Sequence, residues 1–168
     1  MPQDNHNELF PVVTPAGEVI GSATRGECHS GSMLLHPVVH LHVFDRHGAL
    51  YLQQRPAWKD IQPGRWDTAV GGHVDYGEEI VDALRREARE ELGISGFEAE
   101  PVAVYVFRSE REQELIHVYR TCWDGPVTPS AELAGGRFWS RDEIAAARGK
   151  GIFTPNFEQE AERVLGII

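Results

Sequence analysis

Period-two alternation dominates the first half of the chain. In HPVVHLHVF, residues 36–44, Val39, Leu41 and Val43 point one way and Val38, His40, His42 and Phe44 the other, so the run predicts a strand with one apolar and one mixed face. A second β-rich run, ALYLQQR, follows the turn DRHG, and upstream ELFPVVTPAGEVIGSATR predicts two short strands around a Pro-Ala-Gly turn. PAWKDIQPGRWDT, with two prolines and a glycine, reads as a loop, and TAVGGHV as a short strand. The period then changes. From about Glu78 to Leu92, Val81, Leu84, Ala88 and Leu92 recur at helical spacing with Ile80 at the edge of the stripe, and Gly93 is a natural stop.

Beyond this helix, EAEPVAVYVFRSE and ELIHVYRTCW predict a hairpin and GRFWS a further strand. Ser140 and Glu143 form a capping box for a helix over 141–148, and Thr154-Pro155 opens a last helix to about Leu165. Repeats, low-complexity segments and linkers are lacking. The pattern predicts one α/β domain over residues 1–168, a mixed sheet sandwiched between helices, with an N-terminal β-hairpin extension at about 8–25.

The charges on the middle helix do not follow from amphipathicity alone. REAREELG carries Glu87, Glu90 and Glu91; at about 100° per residue, Glu91 falls between Ile80 and Leu84, on the rim of the buried stripe, with the other two beside it. A solvated helix face is the plain alternative. Arg85 and Arg89 project on the opposite flank, leaving Arg86 to reach Glu90 at i,i+4. Three carboxylates crowded at a half-buried edge repel one another and lose hydration, costing several kcal/mol unless a cation compensates. Hard oxygen donors suit Mg²⁺ or Mn²⁺.

Composition narrows the partners. With 41% hydrophobic and 25% charged residues and a net charge of −10, the chain reads as soluble and globular, without the basic surface of a nucleic-acid duplex binder. The polar start MPQDNHNE and the absence of a long apolar run give no signal peptide or membrane span, so a cytoplasmic location is the expectation. Cys28 and Cys122 have no paired spacing and are read as free thiols.

The residues around the helix carry a gapless motif. GGHVDYGEEIVDALRREAREELGI places Gly72, Glu78, Arg86, Glu87, Ala88, Glu90, Glu91, Gly93 and Ile94 on the pattern G-x5-E-x7-R-E-U-x-E-E-x-G-U, the Nudix box, over residues 72–94. The chain resembles a Nudix hydrolase, which implies an α/β/α sandwich and hydrolysis of a diphosphate by water attack on phosphorus. By that resemblance Glu87, Glu90 and Glu91 are ligands of Mg²⁺ or Mn²⁺, with Glu87 also placed to orient or deprotonate water. Arg86 would hold Glu90, and Gly72 would let its carbonyl approach the metal. Glu78 is read equally as structural or catalytic. Nucleoside diphosphate derivatives and related organic pyrophosphates are the implied substrates, and the resemblance leaves a homodimer open.

A second resemblance lies inside the first. QRPAWKDIQPGRWDTAVGGH is similar to the corresponding part of isopentenyl diphosphate isomerase, a Nudix-fold enzyme. His29, His36 and His73, with Glu112 and Glu114, resemble its metal ligands, and Arg55 and Lys59 resemble basic residues it directs at diphosphate. The departures matter. Gly71 stands where the isomerase has its catalytic cysteine, whereas Glu87 and Glu90, which the isomerase pattern does not keep, are present. The expectation is therefore a hydrolase of isomerase-like lineage; an isomerase with a replaced acid and a non-catalytic diphosphate-binding module are the alternatives. Among the aromatics, Trp58 and Trp66 are read as loop or core packing before substrate stacking, and Phe153 and Phe157 as core anchors. Tyr105, Phe107 and Tyr119 are divided by strand alternation between cleft and interior. His40 and His42 are expected on the sheet's second surface without a metal role.

Overall fold

The computed structural model describes residues 5–59 and 61–168. The strands are β1 (Leu9–Val13), β2 (Val19–Thr24), β3 (Leu35–Phe44), β4 (Leu50–Gln54), β5 (Trp66–Thr68), β6 (Val70–His73), β7 (Glu100–Arg108), β8 (Gln113–Cys122) and β9 (Gly135–Trp139). The helices are α1 (Arg25–Cys28), α2 (Ile80–Leu92), α3 (Arg141–Ala147) and α4 (Pro155–Glu160), which continues as a π-helical turn, Ala161–Leu165. β1 and β2 form their own antiparallel hairpin. The remaining strands form a mixed sheet ordered β5-β4-β3-β8-β7, with β6 paired to β3 and β9 to β4.

The alternation in β3 divides the core. Val39, Leu41 and Val43 pack with Ala83, Leu84, Ala88 and Leu92 of α2, while on the opposite face Val38 packs with Ile116 and Val118 and Phe44 packs against a second cluster of Leu50, Leu52, Trp139, Ile144, Phe153 and Phe157. Fully burying a leucine such as Leu84 or Leu92 stabilises the fold by roughly 2 kcal/mol. Gly93 ends α2 in the left-handed region, at φ 66°, and its N–H bonds to the Arg89 carbonyl at 3.0 Å. The capping box at Ser140 is formed, Thr154 caps α4 with Pro155 inside it, and Phe153 and Phe157 are core anchors as expected.

Several boundaries differ from the sequence reading. The helix begins at Ile80, with Glu79 as its N-cap, so Glu78 precedes it. Val81 is 42% exposed and stands outside the core cluster that Ala83, Leu84, Ala88 and Leu92 join. The loop before the Nudix box ends in a short strand, β5, antiparallel to β4. Trp66 in β5 packs edge-on to Trp139 at 5.2 Å.

One feature of the sheet makes the cleft. β3 is shared along one edge: Phe44 pairs with Leu50 of β4, while Val38 to Leu41 pair with His73 to Val70 of β6. The two neighbours diverge from the same strand, and a cavity of about 300 Å³ opens there between α2, β6 and the loop after β4.

Candidate active site

Glycine brings the helix carboxylates against the sheet. Gly72 has no side chain where one would collide: an added Cβ would overlap the Glu87 carboxyl group. Glu87 and Glu91 both line the cavity with Gly71, Gly72, Arg55 and Lys59. Glu91 accepts hydrogen bonds from the Gln53 side chain, at 3.3 Å, and from the Gly71 backbone, yet its Oε2 is buried without a partner. Burial, then the Glu87 charge, pushes the Glu91 carboxyl well above its usual range. Burial likewise raises Glu87 to about 7 despite the adjoining Arg86 guanidinium. The cleft thus holds two carboxyls deprived of water with too little compensating charge.

Arg86 has a wider role than the i,i+4 geometry predicts. Its guanidinium donates to Glu78 at 2.9 Å, to Glu87 at 2.8 Å and to the His73 carbonyl at 3.1 Å, and reaches Glu90 at 3.4 Å. Side-chain length explains the correction: a guanidinium lying back along the helix spans the strand before it as well as its own next turn. Glu78 accepts at both oxygens, acting as a clamp on Arg86. Glu90, 57% exposed, turns outward, so it does not join Glu87 and Glu91 on the cavity wall.

The second set of candidate ligands converges. Donor atoms of His29, His36 and His73 all lie within 4.8 Å of one another, as do those of His36, Glu112 and Glu114. His29 Nε2 is 3.0 Å from Glu112 Oε2 and 3.3 Å from His73 Nε2. His36 bonds the Leu34 carbonyl through Nδ1 at 3.0 Å, which leaves its buried Nε2 without a partner. Burial lowers His36 and His73, and burial together with the Glu112 charge raises Glu114 to about 8. Neutral imidazoles with an orphaned nitrogen are the state that a metal ligand needs.

Local chemistry far from the Nudix box builds this cluster. Thr24 and Glu27 make a capping box on α1, a helix the sequence reading leaves unassigned, and His29 is its C-cap. Phe10 of the hairpin is fully buried, stacked on His73 at 4.5 Å and 4° and on His36 at 5.8 Å. Thr24, Glu27 and Phe10 are not singled out by the sequence reading; the T-x-x-E spacing at Thr24 is the available signal.

The remaining expected groups also find places. Arg55 lies 3.6 Å from Asp67 and donates to the Ile61 carbonyl, and the Lys59 ammonium sits 4.9 Å from the Trp58 ring on the cavity rim. Tyr105 donates to Glu160, while Phe107 and Tyr119 pack against core clusters. Cys28 is buried and Cys122 exposed, both as free thiols, with burial raising Cys28 to about 11. Among the described residues no helix is long and apolar enough to cross a membrane.

Comparisons with known proteins agree with this architecture. Residues 34–157 match the family model described as NUDIX domain. An isopentenyl-diphosphate Delta-isomerase of Clavibacter sepedonicus is 32% identical, the match covering 83% of this chain and 75% of that protein. The Escherichia coli K12 protein named uncharacterized Nudix hydrolase YfcD is 37% identical over 89% of this chain and 82% of its own. The crystal structure of DR0079 from Deinococcus radiodurans superposes with a TM-score of 0.79 at 25% identity, over 94% of this chain and 99% of that one. The chain belongs to the Nudix family, within its isopentenyl-diphosphate-isomerase-like branch.

Proposed function

We propose that the protein is a divalent-metal-dependent hydrolase of a diphosphate linkage in a nucleoside diphosphate derivative or related organic pyrophosphate. The observation that carries this reading is the Gly72 cradle: bare backbone against the Glu87 carboxylate, next to the buried, unpartnered Oε2 of Glu91. That donor set fits Mg²⁺ or Mn²⁺, which Glu87, Glu90, Glu91 and the Gly72 carbonyl would hold. Such an ion neutralises phosphoryl oxygens and lowers the pKa of water.

The chain's own groups supply the rest. Glu87, whose carboxylate lines the cavity against the bare Gly72 backbone, is suited to accept a proton from the attacking water. Arg86, clamped by Glu78, fixes the Glu87 carboxylate against rotation. Arg55 and Lys59 supply positive charge for the anionic substrate at the cavity rim. His29, His36, His73, Glu112 and Glu114 form a second candidate centre suited to a borderline cation.

This second cluster, together with isomerase-named relatives, favours one other reading, an isoprenoid diphosphate isomerase. Gly71 speaks against it, since a glycine has no thiol to donate a proton to carbon. Phosphorus NMR with Mg²⁺ or Mn²⁺ and a panel of dinucleotides, nucleotide sugars, nucleoside triphosphates and five-carbon prenyl diphosphates tests the two together. New monophosphate signals support hydrolysis. Intact phosphorus signals with proton-NMR evidence of a moved double bond would support the isomerase.

A further inference from the structure

One wall of the cleft has no part in the reading above. His40 projects from β3 on the face opposite Val39 and Leu41, and its Nδ1 lies 2.9 and 3.1 Å from the two carboxylate oxygens of Glu160. Glu160, the last residue of α4, is 1% exposed and also accepts from His42 Nε2 at 2.5 Å and from the Tyr105 hydroxyl at 2.5 Å. The helix widens into a π turn immediately after it, a distortion that recurs at functional sites.

This arrangement sets the state of the imidazole. Nδ1 donates to the carboxylate, so the other nitrogen, Nε2, is the edge available to a ligand. Burial pulls the His40 pKa down, but the charge and hydrogen bond of Glu160 more than offset it, and the value rises to about 9, leaving the ring a cation at neutral pH. Nε2 makes no hydrogen bond among the described residues. His42 differs: it is fully buried and reaches only inward.

The neighbouring strand leaves that edge uncovered. His40 pairs with Gly71, and an added Cβ there would sit 3.6 Å from His40 Cδ2 and 3.8 Å from Nε2. The next residue, Gly72, abuts Glu87 instead. Successive strand residues face opposite sides, so the glutamates and the His40–Glu160 pair flank one two-glycine bridge. The cavity that touches Glu87 and Glu91 touches His40 as well.

We propose that His40, oriented by Glu160, is a substrate-binding residue that donates its Nε2–H to an anionic oxygen of the diphosphate, from the side of β6 opposite Glu87. The proposal rests on the diphosphate reading of the same cleft. A purely structural tie between α4 and β3 would use Nδ1 alone and leave Nε2 indifferent to ligand.

Histidine ¹⁵N NMR of the full chain, titrated with methylenediphosphonate in the presence of Mg²⁺, separates the two. The His40 Nε2 resonance should shift with saturation while the His42 resonances stay in place. His40→Gln should weaken diphosphonate binding by about tenfold or more, as expected for losing a charge-assisted hydrogen bond, and Glu160→Gln should weaken it less. Binding to the wild type with an unmoved His40 resonance would overturn this proposal and leave the diphosphate reading standing. Failure of the wild type to bind the diphosphonate at all would overturn both. The wild-type titration decides the matter even if a variant does not fold.

Discussion

Replacing Gly72 by alanine isolates the cradle on which the proposed chemistry depends. An added methyl would overlap the Glu87 carboxyl carbon. Reaching ordinary carbon contact, near 3.5–4.0 Å, requires the carboxylate to retreat by more than about 1 Å. Misplacing a reacting group by that distance costs about 10²-fold in rate, or about 2.7 kcal/mol of barrier. Stability should respond differently. Gly72 is outside the left-handed region, so alanine fits its backbone and removes some freedom from the unfolded chain, worth about 0.4–1 kcal/mol. That gain offsets part of the loss when Glu87 parts from Arg86, and Arg86 keeps Glu78 and the His73 carbonyl. Gly72→Ala should therefore lower kcat by about 10²-fold and weaken Mn²⁺ binding, followed by electron paramagnetic resonance, while calorimetry places Tm within about 3 °C of wild type. Wild-type Mn²⁺ affinity and turnover in this variant would refute the reasoning.

Other perturbations report on separate parts of the site. Glu91→Gln should remove metal-dependent turnover yet leave the metal-free protein as stable or more so at neutral pH, because burial penalises the charged carboxyl; thermal melts in chelator beside activity assays check both signs. Arg86→Ala strands Glu78 and Glu87 and should cost about 2–3 kcal/mol, read by denaturant unfolding, whereas Arg86→Lys should recover part of the stability and little of the activity. The His40 pKa is raised from 6.5 to about 9, so its contribution to stability is complete below pH 6.5 and lost as pH rises through about 9. The Glu160 value is lowered instead, so its contribution is present above about pH 4.5 and lost as pH falls. The stability difference between wild type and His40→Gln should accordingly be largest near pH 5–6.5 and shrink above pH 9; a difference that grows with pH would contradict the pairing.

The parts legible in the sequence are those that local rules determine. The β3 alternation, the α2 stripe with its Gly93 stop and the caps at Ser140 and Thr154 each follow from neighbours within a turn or two. The glutamates, Gly72 and the convergence of His29, His36, His73, Glu112 and Glu114 were legible because spacing and family resemblance placed them in register. What escaped depends on tertiary contact. Glu160 lies 120 residues from His40, and nothing in QEAER marks it as the acceptor for two histidines and a tyrosine. Phe10 is one apolar residue in a hairpin until the fold stacks it on the His73 and His36 imidazoles. Val81 follows the helical periodicity, yet it is 42% exposed and outside the core cluster.

Water attack on phosphorus is the central claim, and oxygen labelling tests it most directly. The protein, Mg²⁺ and a substrate that yields new monophosphate signals are incubated in H₂¹⁸O, and the products are read by the isotope shift in phosphorus NMR and by mass spectrometry. The account predicts one ¹⁸O in the new phosphoryl group of one product and none in the other. Monophosphate products that carry no ¹⁸O in any phosphoryl group would contradict water attack on phosphorus.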